Sequence, residues 1–410
     1  MLAAHALPAA GQLLWGDADR IIFGWEKTKW NHLYSLPANG GQPVALTQGA
    51  FEVETASLSP DRKYVVYASN QGDIDRRHVW RVPVEGGTAE ALTKGTGIEW
   101  SGMYASDGTT LAYLASDARQ PATAMIRTGA GAAQPLVSLP PAFDANALVE
   151  PKAVKVTATD GMQVPAQLFL PAGLKDGEKR PAAIFFHGGS RRQMLLGWNY
   201  GSYYHNCYAL EQYLVSRGWI AMSVNYRSGI GYGMEFREAL DYGATGASEF
   251  RDVLGAGLYL KNHPNVDGAK IAVWGGSYGG YLTALALSRA SELFAAGVDI
   301  HGVHDWNVTY KNFVPSYNAQ AEPEFSKLAF ASSPMSTVKG WRSPVLLIHG
   351  DDDRNVPFSE SVTLVEELRK NKVDVETLVF PDEVHGFLRY ASWVKAWERA
   401  ADFLERKIKR

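Results

Sequence analysis

A serine set among glycines carries the strongest chemical signal in the chain. Residues 275–280 read Gly-Gly-Ser-Tyr-Gly-Gly, a G-x-S-x-G pattern centred on Ser277. An apolar stretch of strand character, Lys270 to Trp274, precedes it, and a helix-like run to Arg289 follows. In that context the pattern is a nucleophile elbow, a sharp strand-to-helix turn that lifts a serine hydroxyl clear of a sheet edge. Neighbours without a Cβ let strand and helix approach closely. A phosphate cradle would instead need G-x-x-x-x-G-K-[ST], and no Lys-Ser or Lys-Thr follows here.

A serine hydroxyl is a weak nucleophile without a base. In an elbow-bearing fold the partners follow in the order Ser, acid, His. His385, in Asp382-Glu383-Val384-His385-Gly386-Phe387, comes just after the last predicted strand, where a loop can hang over Ser277. His349 lies inside a strand end, while His301 and His304 follow an earlier strand and read as packed or exposed side chains. Their H-x-x-H spacing is weak evidence for a metal, and no H-E-x-x-H occurs. The acid should lie in His349-Gly350-Asp351-Asp352-Asp353-Arg354-Asn355-Val356-Pro357. Mutual repulsion allows at most one of the three carboxylates to be buried against an imidazole. The other two read as solvated, with Arg354 as a partner. Spacing alone does not choose among them. Two N–H donors should face the developing oxyanion. One is the backbone N–H of Tyr278. The other is expected from Gly188 or Gly189 in the loop His187-Gly188-Gly189-Ser190.

The elements that must position these residues alternate after Pro140-Pro141. Asp160-Gly161 joins Ala153 to Ala158 and Gln163 to Leu170 as a predicted hairpin. Strands are then expected at 182–187, 220–225, 270–274, 296–300, 345–349 and 374–380, and helices at 208–217, 247–262, 278–289, 359–370 and 392–409. Short apolar strands alternating with helices predict an α/β domain with a mostly parallel sheet covered on both faces, over residues 146–410.

The first 145 residues have a different texture. Gly40-Gly41 with Leu46-Thr47-Gln48-Gly49 recurs as Gly86-Gly87 with Leu92-Thr93-Lys94-Gly95, 46 positions on. Asp61 and Asp107 keep the same offset, and a looser third copy ends near Leu136. Strand-like runs at 20–25, 31–36, 64–69, 79–84, 110–115 and 124–127 are separated by Gly and Asp turn chemistry. Units of about 40–45 residues with four short strands are propeller blades. Three are too few to close a ring, so a partial β-propeller and an N-terminally truncated chain are expected.

Composition narrows the function classes. The 410 residues hold 40 Lys plus Arg against 43 Asp plus Glu, a net charge of −3, so no basic excess points to nucleic acid or an anionic membrane. One cysteine leaves no disulfide framework and no Cys-based zinc site, and Cys207 reads as a packed thiol. No apolar run nears the length of a membrane span. Residues 1–14 lack a basic n-region and are interrupted by Pro8, so they do not read as a signal peptide. Arg191 and Arg192 follow the HGG loop and could reach substrate, but a solvated loop is at least as good a reading. Glu249 and Asp252 read as ion-pair formers on one helix face.

Taken together the motifs resemble the prolyl oligopeptidase family of serine peptidases, particularly its acylaminoacyl-peptidase and dipeptidyl-peptidase branches. The resemblance rests on HGG at 187–189, VNYRSGIGYG at 224–233, GGSYGGY at 275–281, HGDDDRNVP at 349–357 and DEVHGF at 382–387. It implies a β-propeller joined to an α/β-hydrolase domain, a peptide substrate, and no metal or organic cofactor. It also implies that Asp353 is the acid, with Val356 three residues on. Asn355 matches a position that contacts a substrate carbonyl, and Val303 and Trp306 match positions lining the pocket before the scissile bond. Position 187 departs from the pattern: one branch places a tyrosine there to complete the oxyanion hole, and this chain has His187. No adjacent Glu-Glu pair of the kind that holds a free amino terminus is present, since Glu52 and Glu54 are separated by one residue. An esterase on the same scaffold shares the chemistry. A binding module is the reading from another class, because three blades leave strand edges that invite self-association or a partner.

Overall fold

The computed structural model describes residues 13–409. Residues 1–12, most of the run read above against a signal peptide, lie outside the described residues. The N-terminal part folds as three four-stranded antiparallel sheets, each a meander of sequential strands. The first runs from Leu14–Gly16 to Val44–Ala45, the second from Val53–Leu58 to Glu90–Ala91, and the third from Ile98–Tyr104 to Gln134–Pro135. In each the fourth strand is only two residues long and exposed. These are the three repeats expected from the sequence. Their inner faces pack on one another through Ile22, Val53, Val65 and Val82, then Val66, Val79 and Leu111.

The C-terminal part is an eight-stranded sheet. Its strands are β1 (Lys152–Thr157), β2 (Gln163–Phe169), β3 (Arg180–Phe186), β4 (Ile220–Val224), β5 (Val266–Gly276), β6 (Ala296–Ile300), β7 (Val345–Gly350) and β8 (Val375–Phe380). The spatial order is β1-β2-β4-β3-β5-β6-β7-β8. The β1–β2 and β2–β4 pairs are antiparallel, and the other pairs are parallel. Side-chain alternation gives the central strands, β3 to β7, two buried faces. Ala182, Ile184 and Phe186 enter one core with Leu282 and Leu285, whereas Ala183 and Phe185 enter the other with Leu214 and Phe403. That double burial is why these strands read as continuous apolar runs rather than alternating ones.

Eight α-helices accompany the sheet: α1 (Ser202–Ser216), α2 (Met234–Arg237), α3 (Phe250–Lys261), α4 (Tyr278–Arg289), α5 (Trp306–Phe313), α6 (Pro323–Ala331), α7 (Ser359–Lys370) and α8 (Tyr390–Ile408). Helices α4 and α7 have the predicted limits. Helix α1 starts six residues earlier than expected. Its aromatic first turn is fixed by packing, with Tyr203 edge-on to Trp393 at 5.0 Å, which outweighs local propensity. Helices α5 and α6 were not anticipated. They form a short excursion between β6 and β7; α5 buries Trp306 and Thr309, and α6 buries only Ala329.

The two parts meet across buried charge. Arg77, fully buried, donates to Glu54 Oε1 at 2.5 Å and to Gln193 Oε1 at 2.6 Å. Glu54 Oε2 accepts from Tyr200 Oη at 2.9 Å. Glu52 accepts from the Gly231 and Gly233 N–H groups at 2.8 and 3.1 Å, and Asn70 Nδ2 donates to the Gly231 carbonyl at 2.8 Å. Glu26 pairs with Arg237 and Lys29 with Glu235 at the rim. An exposed pair of this kind contributes little, but removing one member of a buried pair strands the other. Arg77→Ala should therefore destabilise the protein by about 3 kcal/mol or more. A lowered urea midpoint is expected; an unchanged midpoint would show that the buried pair does not tie the parts together.

Candidate active site

The chain brings five loops to the carboxyl edge of the sheet, the end where α/β folds place ligands. Gly188 follows β3, Ser277 follows β5, His301 follows β6, Asp353 follows β7 and His385 follows β8.

Ser277 is the hinge of the β5–α4 turn, with φ 59° and ψ −117°. A non-glycine residue there is strained, and the turn must be held by its surroundings. The Ser277 N–H donates to the Ile300 carbonyl at 2.9 Å and faces His301 Nδ1 at 3.1 Å. A side chain at Gly279 would overlap the Phe186 carbonyl, so α4 can lie this close to β3 only with glycine there. Gly276 is likewise bare because the Tyr203 hydroxyl occupies the space a Cβ would need.

Gly188 abuts the serine: a Cβ on it would sit 3.3 Å from Ser277 Cβ and 3.3 Å from the Tyr204 hydroxyl. The His187 ring stacks on Tyr226 at 4.2 Å, and Tyr226 Oη donates to the His187 carbonyl at 2.6 Å. Burial holds the His187 imidazole well below its usual range, to about 3, so it is neutral. It supports the loop from behind. Tyr278 is the first residue of α4, where a backbone N–H has no intrahelical acceptor.

Among the three adjacent aspartates, Asp353 is the buried one. Asp351 and Asp352 are exposed, the latter 3.2 Å from Arg354. Asp353 Oδ1 accepts from the N–H groups of Asn355 and Val356 at 2.8 and 3.0 Å. Its Oδ2 lies 2.6 Å from His385 Nδ1 and 3.1 Å from His349 Nε2. Burial alone would raise this carboxyl, but the bonds from His349 and His385 outweigh it and hold Asp353 ionised below the usual carboxylate range. The loop bearing His385 is tied down by Glu383. That carboxylate accepts from Leu388 N at 2.7 Å, Arg389 N at 3.2 Å and Ser392 Oγ at 2.6 Å, at the start of α8.

The His385 ring lies tilted against His301, with ring centres 4.1 Å apart. His301 thus touches both the serine backbone and the His385 ring. Ser277 Oγ itself holds no hydrogen bond to a described residue. The sequence marks His301 only as a packed or exposed histidine. It is packed, but between the two residues of most chemical interest. Its position directly after β6 is a signal that could have found it.

Val303, Trp306 and Val356 share one apolar cluster with Tyr278, while Asn355 is exposed on the loop beside Asp353. Trp306 is almost fully buried, tilted against Tyr278 at 5.6 Å and edge-on to Tyr281 at 5.0 Å. One expectation fails. Asp252 is ion-paired, to Arg227 at 2.6 Å, but Glu249 is not. Glu249 accepts from Gly243 N at 3.0 Å and from the Tyr278 hydroxyl, which puts it behind the nucleophile turn.

With that geometry in view, likeness to known proteins can be weighed. Residues 197–410 match the prolyl oligopeptidase family, and residues 9–122 match the dipeptidyl peptidase IV N-terminal region. The chain belongs to the prolyl oligopeptidase family. A probable dipeptidyl peptidase 4 of Aspergillus clavatus is 29% identical over 94% of this chain and 51% of its own length. Dipeptidyl aminopeptidase BIII of Pseudoxanthomonas mexicana is 29% identical over 63% of this chain and 39% of its own. The chain thus spans about half, or less, of the length of these curated relatives. A puromycin-hydrolyzing peptidase of Mycobacterium tuberculosis shares the fold, with a TM-score of 0.82 at 22% identity over 97% of this chain and 62% of that one.

Burial pushes the Glu249 carboxyl up from 4.5 to about 7. The folded state then binds a proton that the unfolded state releases above 4.5, so this group costs stability as pH rises from 4.5 through 7. Glu249→Gln removes that titration. The variant's melting temperature relative to the unmutated protein should rise between pH 5 and pH 8. A difference that stays constant across that range would contradict the buried-carboxyl assignment.

Proposed function

We propose that the chain is a serine peptidase acting on oligopeptides through Ser277, His385 and Asp353, with residues 1–145 as a partial propeller and 146–410 as the catalytic domain. The observation that carries the reading is the Asp353–His385 bond beside the strained Ser277 turn. Asp353 accepts the Nδ1 proton of His385, which leaves Nε2 as the basic nitrogen. Ser277 Oγ attacks the peptide carbonyl carbon as His385 Nε2 takes the hydroxyl proton. The tetrahedral oxyanion is stabilised by the N–H of Tyr278 and by the Gly188–Gly189 loop. Collapse expels the amine, which takes the proton from His385, and leaves an acyl-enzyme. Water, deprotonated by the same imidazole, then releases the acid.

The family resemblance, with Trp306 packed on Tyr278 next to the Ser277 turn, supports assigning the pocket before the scissile bond to the side of Val303, Trp306 and Val356, with Asn355 as a contact to substrate backbone. The family membership supports peptide over simple ester substrates. No step calls for a metal or an organic cofactor.

The test is labelling with a fluorophosphonate serine-hydrolase probe, located by mass spectrometry, together with peptide turnover. Ser277→Ala should abolish the adduct and lower kcat by several orders of magnitude. Asp353→Asn should lower kcat strongly while the protein stays folded, because the imidazole loses the acceptor that sets its tautomer. An unlabelled Ser277 in folded protein, or unaltered turnover in Ser277→Ala, would overturn the assignment.

A further inference from the structure

A cleft of about 520 Å3 opens beside the Ser277 turn, between the propeller sheets and the loop that follows β3. Tyr203 and Tyr204 form its floor next to the serine, and Trp100 and Tyr200 form its propeller side, their rings 5.7 Å apart. Three charged residues line it: Glu54, Arg191 and Arg192.

Two of the three are already used. Glu54 is engaged by Arg77 at 2.5 Å and by Tyr200 at 2.9 Å. Arg191 grips Glu238 through two bonds of 2.5 and 2.9 Å. Arg192 has no carboxylate within ion-pair distance among the described residues. Its Nη1 donates to the Arg191 carbonyl at 2.9 Å, and its other neighbour is the Tyr204 side chain, so no anion among the described residues neutralises it. The group lies over Gly189, 3.7 Å from where a Cβ would stand, and 6.0 Å from the Tyr204 ring centre. The cleft therefore presents one half-buried cation without a carboxylate partner among the described residues, lying over the loop whose Gly188 abuts the candidate nucleophile. The start of α1, with Gly201 and no capping side chain, opens on the same cleft and adds to the positive potential.

We propose that this cleft is a substrate subsite for a carboxylate, held by Arg192, with the Tyr200, Tyr204 and Trp100 rings flanking the adjoining peptide. The inference rests on the peptidase reading and names its substrate class: short peptides with an acid group near the cleaved bond. A free amino terminus would meet a like charge here, and the nearby carboxylate is taken. The acid can come from a peptide C-terminus or from an Asp or Glu side chain. Both offer the planar two-oxygen edge that a guanidinium matches.

Isothermal titration of the Ser277→Ala protein separates binding from turnover. Four short peptides of one sequence serve as probes, with the C-terminus free or amidated and with Asp or Asn at one internal position. At least about tenfold tighter binding is expected for the peptides carrying the recognised carboxylate, with the preference weakened by salt. A preference that follows the C-terminus names that source, and one that follows Asp names the side chain. Adding Arg192→Gln should erase the preference, and Arg192→Lys should restore part of it, in variants whose cooperative thermal unfolding shows them folded. Equal binding of all four, no binding of any, or a preference that survives Arg192→Gln would overturn the subsite. Hydrolysis of these peptides by the unmutated protein is read separately. Carboxylate-dependent binding without hydrolysis would overturn the peptidase reading while keeping the subsite. Hydrolysis without carboxylate preference would do the reverse.

Discussion

A buried negative charge at Asp353 organises the carboxyl edge of this sheet. Out of water such a charge is tolerated only if donors surround it. The donors come from separate pieces of chain: two backbone N–H groups just after β7, His349 from within β7, and His385 from the loop after β8. Satisfying the carboxylate therefore fixes how the β7 loop curls and where the β8 loop ends. The stitching extends outward. Asp351 N donates to the Phe380 carbonyl, Asp352 N to the Glu383 carbonyl and Asp382 N to the Asp351 carboxylate, so the two loops cannot shift independently. Glu383 then ties the second loop to α8.

The propeller side is anchored by the same physics in a different place. Glu52, Glu54 and Arg77 are buried where the second sheet meets the segment after β4 and the loop after β3. Buried ions specify geometry more strictly than apolar contacts, since a misplaced partner leaves a charge unsatisfied. Their cost is offset only with the two parts in register. That register puts Trp100 and Tyr200 beside the floor formed by Tyr203 and Tyr204, and so creates a cleft next to Ser277 instead of a flush surface. Arg77 takes up the Glu54 charge on the propeller side, which is why Arg192 faces the cleft alone.

Much of this could be read from sequence because it depends on local rules. The elbow needs glycines at fixed spacing, and Ser277 and α4 lie where the pattern put them. The repeat offset located the three meanders because each repeats the same turn chemistry. The parallel strands were legible from their doubly buried runs. What escaped depends on contacts between distant segments. Spacing could not distinguish Asp353 from its neighbours; the family resemblance did, and the hydrogen bonds give the physical reason. His301 looked inert because its importance comes from what stands on either side of it. Glu249 looked like a surface ion-pair former because helix periodicity does not reveal that a loop from Tyr242 to Thr245 closes over it. Helices α5 and α6 are short, eight and nine residues, and α6 buries only Ala329, so neither stands out from the surrounding loop in the sequence.

The hydrogen bonds around Ser277 also assign the protons. His349 Nε2 faces two acceptors, the Asp353 carboxylate and the Val356 carbonyl at 3.1 Å, so that nitrogen bears the proton and Nδ1 accepts from Ser361 at 2.8 Å. His301 Nδ1 faces the Ser277 N–H, so its proton is on Nε2, 3.0 Å from the Tyr203 hydroxyl. Burial, with the neighbouring His385 adding to it, keeps His301 from charging. His304 is held between the Asp299 carboxylate at 2.7 Å and the Glu360 carbonyl at 3.0 Å. His187 is sealed against Tyr226 with its Nε2 buried. Each of these four rings is locked by its partners or by burial. His385 alone is half-exposed, with Nδ1 committed to Asp353 and Nε2 without a described partner. Five histidines crowd this edge, and the one whose ring is not fully enclosed is the one whose Nδ1 is held by the buried charge.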